Sequence, residues 1–160
     1  MPRGSVSKLV AIVGVMAALT TLATMVVQIP TPATKGYINL GDTMVMLSGS
    51  LFGSLMGSIS GGVGSALADL LSGYAHWAPF TLVIKGIEGY IAGLSKDRKG
   101  ILKVLILIIA GAEMVLGYFL VEVLLYGLGG ALAELPGNSF QAISGIVFAY
   151  ILAPVIRKVL

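Results

Sequence analysis

The stretch ILKVLILIIAGAEMVLGYFLVEVLLY, residues 101–126, decides the fold class, because Lys103, Glu113 and Glu122 are its only charges. As a helix rising about 1.5 Å per residue it is long enough to cross a hydrocarbon core of about 30 Å. Apolar runs recur along the rest of the chain, so the stretch is neither a lone anchor nor a cleavable leader. Composition agrees: 57% of the 160 residues are hydrophobic and 11% charged, against about 25% charged in a soluble domain. Such a chain lacks the polar side chains to cover a water-exposed surface. The expected fold is an all-α integral membrane protein, a compact bundle of six transmembrane helices forming one domain over residues 6–160. The opening Met1-Pro2-Arg3-Gly4-Ser5 reads as the remnant of an expression tag.

The first helix is expected over residues 7–29, stopped by Pro30-Thr31-Pro32, with a polar loop over 31–39 behind it. The second opens at Gly41-Asp42-Thr43, with Asp42 as its cap, and runs to Met56; the third follows a turn at Gly57-Ser58 and ends at Ser72-Gly73. A fourth starts at Pro79 and closes near Ser95, the fifth is the stretch quoted above, and the sixth covers 138–159. Six crossings return both ends to one side. Lys8, Lys96, Arg98, Lys99, Lys103, Arg157 and Lys158 then share that side, which the positive-inside rule makes cytoplasmic; Lys35 and Lys85 are the exceptions. Gly49, Gly53, Gly57 and Gly61 recur every four residues, the spacing that lets helix backbones approach in lipid, and Gly14 and Ala18 form a similar pair on the first helix.

Setting the cytoplasmic charges aside leaves Lys35, Asp42, Asp69, Lys85, Glu88, Glu113, Glu122 and Glu134. An ionised side chain at the bilayer centre costs at least about 2.5–3.5 kcal/mol, so these groups must face the bundle interior and find partners. Counted along their helices, most fall in the outer half, where Asn138 and Gln141 also begin the sixth helix; only Glu113 is deep. An outward-facing polar pocket is implied. Lys85 and Glu88 are three apart and share a helix face, so Lys85 either locks the bundle by pairing with Glu88 or Asp69, or meets a polar ligand. Tyr37, Tyr74, His76, Trp77, Tyr118 and Tyr126 flank the same end, with Tyr37 and Trp77 in loops over the pocket. A flat heteroaromatic ligand suits rings for stacking and amides or a lysine for its edge.

Several chemistries are excluded. A single histidine and no cysteine offer no metal set, and no cofactor is expected. No phosphate-binding Gly-rich loop, His-Glu-x-x-His or Gly-x-Ser-x-Gly occurs, so the chain is not expected to be an enzyme or to hydrolyse ATP. The competing class is a stand-alone proton-coupled carrier or channel, with Glu113, Glu122 and Asp69 as relay; it needs a polar trail to the cytoplasmic side, where helix five offers only small and aliphatic residues between Lys103 and Glu113.

Three stretches carry a resemblance: Gly36-Tyr37-Ile38-Asn39-Leu40-Gly41-Asp42, the glycine-rich run from Gly61 to Gly73, and Trp77-Ala78-Pro79-Phe80-Thr81-Leu82-Val83-Ile84-Lys85-Gly86. Together they resemble the substrate-binding S components of energy-coupling factor (ECF) vitamin transporters, and most closely the riboflavin-type S components. The resemblance implies a six-helix protein in a prokaryotic plasma membrane that captures a vitamin or related small molecule near the outer face. Riboflavin, hydroxymethylpyrimidine and pyridoxine-like compounds are the ligand types it implies. It also implies partners, a transmembrane coupling subunit and two ATPases, and motion by toppling within the membrane. On this reading Tyr37, Asn39, Trp77, Lys85, Glu88, Glu122, Asn138 and Gln141 are the candidate ligand contacts, Asp42 and Asp69 structural or gating groups, and Gly14 and Ala18 the contact with the coupling subunit.

Overall fold

A computed structural model describes residues 3–159, with side chains from residue 7 onward. Met1 and Pro2 of the tag-like opening lie outside the described residues, whereas Arg3 already belongs to the first helix. The element order is α1 (Arg3–Val26), β1 (Gln28–Thr31), β2 (Gly36–Asn39), α2 (Gly41–Phe52), α3 (Ser54–Leu71), α4 (Ala78–Gly93) and α5 (Gly100–Ile156).

Five helices stand where six were expected, and the difference lies in α5. Its 57 residues are interrupted at Gly127, whose φ of 77° and ψ of 172° are non-helical. The two arms fold back on each other, since Leu107 and Ala110 share an apolar cluster with Ala149, and Met114 one with Ala142. The second arm is helical from 128, so the expected connection over 128–137 does not exist. Among the described residues, only α1 and α5 are long and apolar enough to cross a membrane. At 12 residues α2 is about 18 Å long, short of a full crossing.

Two boundaries move for backbone reasons. The second helix ends at Phe52 because Gly53 adopts φ 98°, which leaves Gly57 and Ser58 inside α3. The expected loop over 31–39 is instead the far half of an antiparallel hairpin in which Ile29 faces Ile38 and Gln28 faces Asn39. Lys35, at φ 51°, turns it. Asp42 lies in the first turn of α2 but makes no cap bond, so the capping role expected of it is not filled.

The bundle is apolar outside and buries polar residues among its apolar clusters. Leu22, Leu55, Leu70, Val83, Ile101, Leu120 and Ile143 are exposed, while Thr20, Asp42, Ser48, Ser60 and Glu88 are fully buried. This is the arrangement of a protein whose solvent is lipid. Helix contacts follow from small residues and hydroxyls. Ser48 pairs with Ser60 at 2.9 Å, Ser50 with Ser95 at 3.0 Å, and Thr21 Oγ1 donates to the Gly64 carbonyl at 2.8 Å. The glycine spacing read as α2 against α3 extends to α4: a Cβ on Gly57 would stand 2.4 Å from the Gly89 carbonyl oxygen and 2.6 Å from Gly49 Cα. Because the obstructing atoms are backbone, no rotamer change can relieve the clash. Gly57→Val should therefore lower stability by about 1–3 kcal/mol or more, read as a fall in the thermal unfolding midpoint in detergent. Gly14→Ala, with nothing within 4 Å of the added methyl, should not lower that midpoint.

Candidate functional site

One end of the bundle carries the Lys96–Lys99 turn and Arg157, which meets Asp97 at 3.7 Å and the Ser50 carbonyl at 2.8 Å. The hairpin, the turn before α4 and the Gly127 break lie at the other, where Gln28 Nε2 donates to Ser72 Oγ at 3.0 Å and Tyr126 bonds His76 at 3.1 Å. Under the hairpin is a polar cavity of about 40 Å³.

The hairpin roofs it because side chains two apart on a strand share a face, which sends Tyr37 and Asn39 together toward the bundle. The Tyr37 hydroxyl donates to Asp69 Oδ1 at 2.6 Å, and burial together with the Asp69 carboxylate pushes this phenol above its ordinary value, so it stays protonated where an exposed tyrosine ionises. Asn39 ties the roof to α5: its backbone N–H donates to Gln141 Oε1 at 2.8 Å. From there Gln141 Nε2 donates to Asn138 Oδ1 at 3.1 Å, and Asn138 Nδ2 to Glu122 Oε1 at 3.0 Å. A second tie joins Thr34 Oγ1 to Glu134 Oε1 at 2.8 Å. Gly137 makes room for the roof, since a Cβ there would overlap the Ile38 side chain at 2.5 Å.

The wall opposite is aromatic. Trp77 is 5% exposed and has Tyr118, Tyr126 and Phe80 around it at centroid distances of 5.9, 6.0 and 6.2 Å. Tyr118 is fixed by a 3.1 Å bond from its hydroxyl to Thr81 Oγ1. The floor is Lys85, whose ammonium is paired with Asp42 and lies 3.1 Å from Glu88 Oε2.

Of the ligand contacts expected from sequence, Tyr37, Asn39, Trp77, Lys85, Glu122, Asn138 and Gln141 line this one cavity, and so does Asp69. Glu88 does not. It is sealed behind Lys85 with no exposed surface, and Asp42 is sealed with it. Sequence reasoning paired Lys85 with Glu88 or Asp69; the pairing with Asp42, 43 residues away, was missed. It also missed Thr24, Thr31, Thr34, Ser65 and Thr81 in the lining. Tyr118 and Glu134 had been singled out only as an aromatic and a residual charge, and both line the cavity. Gly14 and Ala18 sit on an exposed face of α1, while the neighbouring Ala17 is buried against Gly64 of α3.

Four buried polar atoms of the lining have no hydrogen-bond partner among the described residues: Ser65 Oγ, Asp69 Oδ2, Trp77 Nε1 and Glu122 Oε2. Buried polar atoms are seldom left unpaired, at a cost of about 1–3 kcal/mol each. All four converge on the one cavity.

The family model for the ECF-type riboflavin transporter S component matches residues 5–158. An uncharacterized protein from the gap 3′ region of Pyrococcus woesei is 50% identical over 140 residues, 86% of this chain and 94% of that one. The thiamine precursor transporter HmpT of Lactococcus lactis subsp. cremoris (strain MG1363) is 35% identical over 159 residues, 99% of this chain and 92% of its own. Among solved structures, the S component of a bacterial ECF transporter superposes with a TM-score of 0.67 at 18% identity, covering 96% of this chain and 98% of that one. FolT bound with folic acid superposes at 0.66, also at 18% identity, covering 94% and 93%. These last two share the fold. A bundle with a polar cavity under one end, matched over nearly its whole length by one family, leaves a single assignment: the chain belongs to the ECF-type riboflavin transporter S components, substrate-binding membrane subunits of vitamin transporters rather than enzymes.

Proposed function

We propose that the ligand is a small amino-substituted heteroaromatic of the thiamine-precursor type, a 4-aminopyrimidine, rather than riboflavin. The observation that carries this reading is the set of unpaired atoms facing the cavity. Asp69 Oδ2 and Glu122 Oε2 require donors, and Trp77 Nε1 requires an acceptor. An aminopyrimidine supplies N–H groups from its amine and its weakly basic ring, and a ring nitrogen or hydroxymethyl oxygen as acceptor. Its flat face suits the Trp77–Tyr118 wall. The 35% identical relative named as a thiamine precursor transporter supports the same class.

Tyr37, Asn39, Trp77, Lys85, Glu122, Asn138 and Gln141 are the proposed contacts, with Asp69 added to them. The cavity end faces outward and the basic end, with both termini, faces the cytoplasm. Delivery then depends on a transmembrane coupling subunit docked on the Gly14 and Ala18 face and on ATPases that supply the energy, the bundle toppling as a body. Binding of 4-amino-5-hydroxymethyl-2-methylpyrimidine, followed by Trp77 fluorescence or calorimetry, should exceed that of riboflavin. Glu122→Gln and Asn138→Ala should each weaken it more than tenfold, about 1.4 kcal/mol, and unchanged affinity in both would move the site elsewhere.

The hairpin roofs this cavity, with Asn39 and Tyr37 tied to α5 and α3. Entry therefore requires the hairpin to lift, breaking the Asn39–Gln141 and Tyr37–Asp69 bonds. Gln141→Leu leaves the Asn39 amide without its acceptor and should loosen the roof by about 1–3 kcal/mol, seen as roughly tenfold or faster amide exchange over residues 36–39.

A further inference from the structure

Behind the cavity floor, two carboxylates share one ammonium. Lys85 of α4 pairs with Asp42 of α2 and with Glu88 one turn further along its own helix; the lysine side chain is 4% exposed and both carboxylates are 0%. With all three ionised the cluster carries a net charge of −1, and its surroundings do not balance it. Asp42 and Asp69 are the only charged residues of α2 and α3, and Asp69 is bonded to Tyr37. From α5 the nearby ionisable groups are Glu113, a further acid, and Tyr118, whose ring centroid is 5.4 Å from the ammonium. Asp42 Oδ2 and both Glu88 oxygens make no hydrogen bond. An uncompensated carboxylate in such a place costs far more than taking up a proton.

We infer that the Asp42–Lys85–Glu88 cluster is a proton-binding site, holding one proton on the Glu88 carboxyl so that the floor of the cavity is neutral in the folded protein. The proton belongs to Glu88 because Asp42 has the better claim on the lysine: it accepts a hydrogen bond as well as an ion pair, whereas Glu88 has only the ion-pair contact. A neutral Glu88 keeps its contact with Lys85 through Oε2 and gains an O–H to donate, while Asp42 Oδ2 is an acceptor of the cluster left open. Lys85 thus stands between this cluster and the cavity it lines. One bound proton rather than a second cation sets the charge under the ligand site.

Infrared spectroscopy of the ligand-free protein in nanodiscs at neutral pH tests this without reference to which ligand is captured. A protonated-carboxyl band that shifts on ¹³C-glutamate labelling, stays put on ¹³C-aspartate labelling and is missing from Glu88→Gln is the expected result. Because glutamine is close in shape to the neutral acid, Glu88→Gln should also unfold at the wild-type temperature, while Asp42→Asn, which removes the lysine's counter-ion, should unfold at a lower one. A band that survives in Glu88→Gln, a Glu88→Gln protein that fails to fold, or a missing band together with stability that rises with sodium concentration would each overturn the inference, the last by placing a cation where the proton was assigned.

Discussion

Burying the Lys85 ammonium is the constraint around which this bundle is arranged. An ammonium withdrawn from both water and lipid headgroups must be paired with good geometry, and the partner lies on a different helix, at the start of α2. That pairing fixes where α2 begins relative to α4, and α2 begins directly after the hairpin. Roof and floor of the cavity are thus two ends of one short segment, Gly36 to Asp42, with Asn39 Oδ1 accepting from the Gly41 amide at 2.7 Å to stiffen the corner between them. Gly41 itself lies so near Thr24 of α1 that a side chain there would overlap it.

Glycine on the α2, α3 and α4 faces makes this arrangement possible at membrane packing energies. Lipid gives no hydrophobic drive for helices to associate, so backbones must touch and hydroxyls must bond. Gly49, Gly57 and Gly89 supply the contact, and the Ser48–Ser60 and Ser50–Ser95 pairs the bonds. The rigid half so formed contrasts with the hairpin, whose four-residue strands are held chiefly by single side-chain ties to α3 and α5. A stiff floor under a lightly tied roof is the division of labour that a capture site needs.

Much of this was legible from sequence for a physical reason. Charged and amide residues in an apolar chain are conspicuous because lipid penalises them, so Asp69, Lys85, Glu122, Asn138 and Gln141 could be placed in one pocket before any coordinates. Hydroxyls are not conspicuous. Thr20 and Thr24 bond carbonyls one turn back in their own helix, which satisfies them anywhere in a membrane and hides that Thr24 reaches the cavity. Asp42 was misread because an acid at a helix start is so often a cap. The long α5 was misread because Gly129, Gly130, Pro136 and Gly137 look like a loop, although Gly137 is small to receive Ile38. Local preference gave way there to the demand of a packed neighbour.

The placement of polarity also separates capture from conduction. A carrier or channel needs groups that hand a proton or ligand from one face to the other, and here the polar lining stops at Lys85. Toward the basic end the space between α2, α4 and the two arms of α5 is filled by Met46, Ala92, Leu107, Ala110 and Ala149, all fully buried, with Leu47, Leu51 and Ala153 packed alongside. Opening a wet route there would cost the contacts of every residue in it. A molecule taken up under the hairpin can therefore leave by the way it entered more readily than through the floor. The proposed movement of the whole bundle against a coupling subunit meets this constraint, and Gly14 and Ala18 lie on an exposed face of α1.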